Sequence, residues 1–189
     1  MMAVINPAYQ NSSSSIMQAK FLRFIEDILI TPLSGFEISL SYIIGGAIRG
    51  VLNGLLVLLL GFFLTGFEVD NWLLTFIYLV TVAWAFAASG VIVGIFAKSW
   101  DSIMVLTNFF LMPLTFLGGV FYSIDMLPVA WQKISLINPL YWMINGLRYA
   151  TLGIADTSHV LSLGISIIFA IFFSILASYM FSKGYRIKT

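Results

Sequence analysis

The sequence predicts an all-α fold, a polytopic membrane helix bundle. Of the 189 residues, 60% are hydrophobic and only 9% are charged, whereas a soluble domain carries roughly 25% charged residues. Four apolar runs are long enough to cross a hydrocarbon layer of about 30 Å, which takes about 20 helical residues. None alternates between apolar and polar residues as barrel strands do, so we expect four full transmembrane helices.

The composition also excludes several classes of function. The chain has no cysteine, which removes thiol metal sites, disulfides and thiol redox chemistry. His159 stands alone near Asp156, too few ligands for a metal site, so we expect neither a metal nor another cofactor. A net charge of +1 without a basic patch gives no indication of nucleic-acid binding. No GxxxxGK[ST] motif occurs, so the chain is not expected to be an enzyme that hydrolyses ATP.

Residues 1–18 precede the apolar runs and are unusual. They lack the basic segment followed by an apolar core that marks a signal peptide. They are also too polar for a convincing span of their own. We expect them to form a partial N-terminal helix, the end of a truncated span.

Residues 20–32 predict a short amphipathic helix that ends at Pro32. Its apolar residues recur at helical spacing and comprise Phe21, Phe24, Ile25, Ile28 and Leu29. Its polar face carries Arg23, Glu26 and Asp27. Such a helix lies in the membrane interface or docks into a groove on a partner. Two acids and one arginine differ from the Lys/Arg-rich face of an interfacial anchor, which modestly favours docking.

The predicted spans cover residues 38–67, 72–96, 103–122 and 160–181. Basic residues cluster before the first span, in the 97–102 loop and in the tail 182–189. Because basic residues favour the cytoplasmic side, we expect these three segments and the C-terminus to be cytoplasmic. The segment 123–152 then faces outward.

Small residues recur every fourth position in three of these spans. The stripes are formed by Gly46, Gly50 and Gly54, by Gly90 and Gly94, and by Ala170, Ser174 and Ser178. Such stripes allow helix backbones to approach closely. Packing within one bundle and a homodimer seam both remain possible from the sequence.

Arg49 and Asn53 lie one helical turn apart in the first full span. A guanidinium at membrane depth is costly unless it faces protein or a water-filled path. A role in the translocation path and a structural role are about equally supported.

The segment 123–152 predicts two short helices that dip into the outer leaflet and return. Gly118 and Gly119 allow a bend before it. Pro128 can begin the first helix, and Asn138 followed by Pro139 the second. The second helix has an apolar face and an opposite face with Tyr141, Asn145 and Arg148. This re-entrant hairpin is an interfacial cap or an outer gate, and the candidate gate residues are Gly118, Gly119, Tyr141, Asn145 and Arg148.

The stretch FLGGVFYSIDMLPVAWQKISLINPLYWMINGLRY, residues 116–149, follows an amphipathic helix and three spans. This order of features resembles the permease subunit of type-2 ABC exporters, especially bacterial inner-membrane permeases for polysaccharides, lipo-oligosaccharides and drugs. The shared pattern is Gly-Gly, an aromatic residue, acidic-x-x-Pro, Trp, Asn-Pro, an aromatic pair and Arg-Tyr. The likeness covers most of the chain.

The resemblance implies a homodimer of permeases driven by a separate cytoplasmic ABC ATPase dimer. It assigns residues 20–32 the role of coupling helix, with ATPase contacts from Phe21, Arg23, Phe24, Ile25, Glu26, Asp27 and Ile28. It makes 123–152 extracellular re-entrant helices. The substrate would be lipid-linked, saccharide or hydrophobic and drug-like, and it would move outward across the inner membrane. The family carries further helices before the coupling helix, so the chain is expected to be N-terminally truncated.

Two other functions remain open from the sequence. One is a small membrane scaffold or assembly protein without transport activity. The other is an ion-coupled carrier, which ranks third because carriers place ionisable groups near the midplane, and Arg49 is the only convincing charge at that depth.

Overall fold

The computed structural model describes residues 1–66, 68–123 and 126–184, with the side chains of Glu26 and Leu29 left out. Within these ranges the ordered elements are helices, which confirms the all-α prediction. Four helical segments are long and apolar enough to cross a membrane. The helices are α1 Met2–Phe21, α2 Ile25–Leu29, α3 Gly35–Thr65, α4 Trp72–Phe96, α5 Trp100–Leu106, α6 Met112–Leu117, α7 Val129–Ile137, α8 Pro139–Leu152 and α9 His159–Lys183.

The centre of the bundle is α1, which packs against α3 and α4. The sequence predicted only the end of a span here, but α1 is a continuous helix of 20 residues, about 30 Å long at 1.5 Å per residue. Two of its serines, Ser12 and Ser13, are buried and hydrogen-bonded. Ser12 Oγ donates to the carbonyl of Tyr42 (3.1 Å), and Ser13 Oγ donates to that of Tyr9 (2.9 Å). These bonds let a polar helix occupy the core.

Glycines on α3 and α4 bring both helices close to α1. A Cβ atom on Gly94 would lie 2.9 Å from the Ser13 carbonyl oxygen, and one on Gly50 would lie 2.9 Å from that of Val4. A Cβ on Gly90 would overlap with the Tyr9 carbonyl. The two glycine stripes therefore face α1 of the same chain, so the intrachain alternative is correct for these glycines.

The third stripe, on α9, also packs within the chain. Trp84 Nε1 on α4 donates to Ser174 Oγ at 3.0 Å, and the hydroxyls of Ser39 on α3 and Ser178 on α9 are 2.8 Å apart. Bonds between hydroxyl and indole groups join helices that share little polar surface. They fix α9 against α3 and α4.

The third span, Trp100–Leu117, is interrupted by a π-helical turn over Thr107–Leu111. Pro113 follows this turn at the start of α6. Since proline has no N–H, it cannot donate to the carbonyl of Phe109, and a wider turn accommodates that loss. The helix ends at Leu117, five residues before the predicted end at 122, because Gly118 leaves the helix and Gly119 has a left-handed φ of 76°.

Two short helices, α7 and α8, follow this span. Asn138 caps α8 by accepting a hydrogen bond from the Leu140 amide at 3.0 Å, as the Asn-Pro pair predicted. The predicted apolar face of α8, with Leu140, Met143, Ile144 and Leu147, is buried. Gly146 packs on the ring of Tyr78 in α4. The helix thus lies against α4 and α9.

The prediction of one continuous helix over residues 20–32 is wrong in the structure. The first helix ends at Phe21, Arg23 has a φ of 60°, and α2 covers only five residues. A left-handed residue reverses the chain direction and breaks a helix. The reversal returns the chain to Ser34, which begins α3 with a capping box to Glu37.

The packing of α1 leads to a prediction for Gly90. Replacing Gly90 with leucine forces the side chain into the α1 backbone, so we expect the stability to fall by about 1–3 kcal/mol or more and the unfolding temperature in detergent to drop. Gly164→Leu on α9 is the matched control, since a Cβ there meets no atom within 4 Å. Equal unfolding temperatures for the two variants would contradict this account of α1.

Candidate functional site

Three helices line a half-open polar cavity of about 520 Å³, and Gln10, Arg49 and Asn108 in its wall are exposed. Its lining residues lie at positions spaced by three and four along α1, along α3 and along the helix that begins at Trp100, so each helix contributes one face. The lining residues are Pro7, Gln10, Asn11, Ser14, Arg49, Asn53, Trp100, Ile103, Met104, Thr107 and Asn108. We refer to this space as the polar cavity.

Arg49 supplies the charge of the polar cavity. Its Nη1 atom donates to Asn11 Oδ1 at 2.8 Å, and Asn53 Nδ2 donates to the Arg49 carbonyl at 2.8 Å. Among the described residues, no aspartate or glutamate lines the cavity. Arg49 lies about 21 Å from one end of α3 and about 24 Å from the other at 1.5 Å per residue. Arg49 is therefore near the middle of α3, and its exposed guanidinium is costly at membrane depth unless it faces water or a polar group.

The π-helical turn forms the wall opposite Arg49 and begins at Thr107. Thr107 Oγ1 donates to the Ile103 carbonyl at 2.8 Å. The neighbouring Tyr9 is 1% exposed, and its hydroxyl lies beside the Thr107 side chain. Since π turns are frequent at functional sites, this wall adds to the evidence for a site here.

The predicted gate residues lie at the far end of the bundle, in what we call the outer cluster. It comprises Gly118, Gly119, Tyr141, Asn145, Arg148, Asp156 and Thr157. Tyr141 and Asn145 are 2% and 1% exposed, so they do not line an open passage. Both faces of α8 are covered. The bundle covers its apolar face, and the connector between α8 and α9 folds back over its polar face.

Asn145 stabilises the connector between α8 and α9 through hydrogen bonds. Its Nδ2 atom donates to the Thr157 carbonyl at 3.1 Å and to Ser162 Oγ at 3.0 Å, and its Oδ1 atom accepts from the Asp156 amide at 2.8 Å. Tyr141 Oη is 3.1 Å from Thr157 Oγ1. The Asn145 side chain thus forms hydrogen bonds with backbone groups of the connector that would otherwise be exposed or unpaired.

Arg148 joins the connector to the loop after α6. Its Nη1 atom pairs with Asp156 Oδ2 at 3.0 Å, and Nη2 donates to the carbonyls of Gly119 and Tyr122. Gly118 packs near Ile144 on α8, where an added Cβ would lie 2.6 Å from Cδ1. Arg148 therefore bridges the two loops of the outer cluster, and the Ser123 hydroxyl bridges them as well by donating to Asp156 Oδ1 at 2.8 Å.

The predicted coupling residues separate into exposed and buried groups. Phe21 and Phe24 are 74% and 40% exposed, whereas Ile25 is 3% exposed and anchors α2 to the core. Ile28 is partly buried against the same core. Arg23 and Asp27 are exposed, and the side chain of Glu26 lies outside the described residues. The exposed apolar residues at this end form what we call the docking surface: Phe21, Leu22, Phe24, Ile30 and Leu33.

Lys20 connects the docking surface to α4, a contact that the sequence analysis missed. Its Nζ atom donates to the carbonyls of Gly94 (3.0 Å), Ile95 and Ala97 (3.4 Å). These carbonyls end α4 and have no partner within the helix, and a cation there also complements the helix dipole. From sequence, a lone lysine at a helix end indicates only orientation, so no signal identified this role.

The outer cluster predicts a specific loss for Arg148→Met. Removing the guanidinium deletes the ion pair to Asp156, which keeps its hydrogen bond from Ser123, and removes a donor from two carbonyls, so the stability should fall by about 1–3 kcal/mol. Thermal unfolding and proteolysis of the 118–123 loop would report it. Lys133→Met, an exposed cation in the adjacent α7, is the control. If both variants unfold alike, Arg148 does not hold the two loops together.

Comparison with known proteins supports the resemblance seen in the sequence. Residues 1–152 match the ABC-2 type transporter family. The chain is 39% identical to the inner membrane transport permease YadH of Escherichia coli (strain K12) over 189 residues, 100% of this chain and 74% of that protein. It is 25% identical over 150 residues to Nodulation protein J of Sinorhizobium fredii (strain NBRC 101917 / NGR234), 79% of this chain and 57% of that protein.

A shorter match reaches a second nodulation protein. Nodulation protein J of Rhizobium leguminosarum bv. viciae is 32% identical over 87 residues, 46% of this chain and 34% of that protein. No solved structure matches the chain. The family match covers more than half of the chain, and the permease match covers all of it. The chain therefore belongs to the ABC-2 type transporter family and is a multi-pass permease subunit of the inner membrane.

Proposed function

We propose that the chain is the membrane-spanning subunit of an exporter that a separate cytoplasmic ABC ATPase drives. The substrate would be lipid-linked, saccharide or hydrophobic and drug-like, and it would move outward. The observation that carries the proposal is the docking surface, which exposes aromatic side chains at the end of the bundle predicted to be cytoplasmic. The family supplies the expectation of an ATPase partner.

The docking surface has the chemistry that a protein groove recognises. Phe21 and Phe24 stand beside the charged Arg23 and Asp27, and aromatic anchors flanked by charges are typical of binding hot spots. Ile25 is buried beneath them, so α2 sits on a fixed base. A force that a partner applies to Phe21 and Phe24 would therefore move the helix bundle and not only a flexible loop.

Lys20 connects the docking surface directly to the membrane-spanning helices. It follows Ala19, which is fully buried in α1, and it bonds the last carbonyls of α4. Movement of the docking surface is transmitted to two central helices at once. Closure of the ATPase dimer would rock α1 and α4 together.

The rocking would act on a pair of permeases. Two copies, with the ATPase dimer beneath them, form an element with two states, and ATP supplies the difference in binding energy that shifts it. In the shut state Arg148 holds the outer cluster. In the open state the two loops that Arg148 bridges would separate and release substrate at the outer side.

The test is co-purification of the chain with its cognate ATPase from detergent. Phe24→Glu should weaken the complex at least about tenfold, because an aromatic anchor in an interface contributes about 1–2 kcal/mol or more. Phe121→Glu, an exposed phenylalanine at the opposite end of the bundle, is the control and should bind like the unmodified chain. Binding of the ATPase that Phe24→Glu leaves unchanged would contradict the docking surface.

Failure of the unmodified chain to bind any ATPase would favour the alternative function, a membrane scaffold without transport activity. Ile25→Glu separates loss of docking from loss of fold. Since Ile25 is buried, that variant should lower the unfolding temperature, whereas Phe24→Glu should not.

A further inference from the structure

We propose that the polar cavity binds the anionic head group of an amphipathic ligand, a phosphate or a carboxylate. The inference deepens the proposed function, because it gives the chemical class of the substrate or of a lipid that accompanies it. The observation behind it is a cavity whose described lining residues carry one positive charge, that of Arg49, and no negative one.

The charge of Arg49 is not balanced within the cavity. Its one described side-chain partner is Asn11, a neutral amide, while guanidinium offers five N–H donors. A charge near the middle of a span is costly, and an anion would offset that cost. Guanidinium also pairs with phosphate or carboxylate through two parallel hydrogen bonds, which ammonium cannot do.

Neutral donors surround the guanidinium. The amides of Gln10, Asn11, Asn53 and Asn108 all line the cavity. Side-chain amides can donate to the outer oxygens of a bound anion. The wall is therefore built for an acceptor-rich group.

The remaining walls indicate that the ligand has an apolar part. Trp100, Ile103 and Met104 line the cavity, and Met104 and Asn108 are exposed at its rim. Outside the rim the helix surface is apolar, with Val105 and Phe109 exposed. A volume of about 520 Å³ suits a head group, while a tail would lie along the apolar surface outside.

The test uses the purified chain in dodecyl maltoside with no ATPase. Dodecyl phosphate should raise the unfolding temperature with concentration, as a ligand of the native state does, whereas the matched neutral probe dodecyl glucoside should not. Arg49→Gln should weaken dodecyl phosphate binding by about 10- to 100-fold, the size of a charged hydrogen bond. Arg49→Lys should restore part of it.

Two further variants keep the proposal falsifiable if Arg49→Gln does not fold. Asn108→Asp changes one atom at the exposed rim and places a carboxylate in the cavity, so it should abolish dodecyl phosphate binding while the fold persists. Lys98→Gln removes an exposed cation outside the cavity and should change nothing. Equal binding by Asn108→Asp, Lys98→Gln and the unmodified chain overturns the proposal, as does equal stabilisation by both amphiphiles.

The two sources of an anionic head group can be told apart in vesicles. If phosphatidylglycerol in the bilayer removes the response to dodecyl phosphate, the occupant is a membrane lipid. If the response persists, the cavity takes a transported amphiphile. Inorganic phosphate tests whether the head group alone is enough. None of these outcomes depends on the ATPase, so failure of the docking experiment would leave this inference standing, and the reverse also holds.

Discussion

The close approach of α1 to α3 and α4 is the constraint on which the rest of the bundle depends. A helix that carries four consecutive serines and two asparagines cannot face lipid, because its polar groups would lack partners there. The glycines at positions 50, 90 and 94 let α3 and α4 touch its backbone, and Ser12 and Ser13 bond carbonyls within this contact. The packing of α1 in the core therefore depends more on close contact between helix backbones than on the apolar surface area that is buried.

That placement also determines the two functional surfaces. With one side of α1 pressed against glycines, the face that carries Gln10, Asn11 and Ser14 points to Arg49 and to the helix after Trp100. The end of α1 delivers Lys20 to the carbonyls of α4 and leaves Phe21 exposed beside the chain reversal. One face of α1 thus lines the polar cavity, and the C-terminal end of the same helix carries part of the docking surface. We expect a movement of one end of α1 to be transmitted to the other.

The sequence predicted the parts of this structure that local rules govern. Spans follow from apolar length, and the start of α8 follows from Asn138 and Pro139. The prediction from sequence failed where tertiary contacts override the local sequence pattern. The polarity of residues 1–18 hid a full helix, since serines satisfied by neighbouring carbonyls can be buried. The apolar spacing over 20–32 predicted one helix, but Arg23 reverses the chain. The partners of Arg49 could have been suspected from the spacing of Pro7, Gln10, Asn11 and Ser14, which marks one helix face.

The central claim is that three helices line a space that water and a polar group can enter, and cysteine accessibility tests it most directly. The chain has no cysteine of its own, so Asn108→Cys and Ile168→Cys would each carry a single thiol. Ile168 is 68% exposed on α9, well away from the cavity. In sealed vesicles a charged, membrane-impermeant thiol reagent should label Asn108→Cys and spare Ile168→Cys, because a thiol reacts as its thiolate, which forms in water and not in hydrocarbon. A thiol at position 108 as unreactive as the one at 168 would contradict the polar cavity and the head-group site proposed in it.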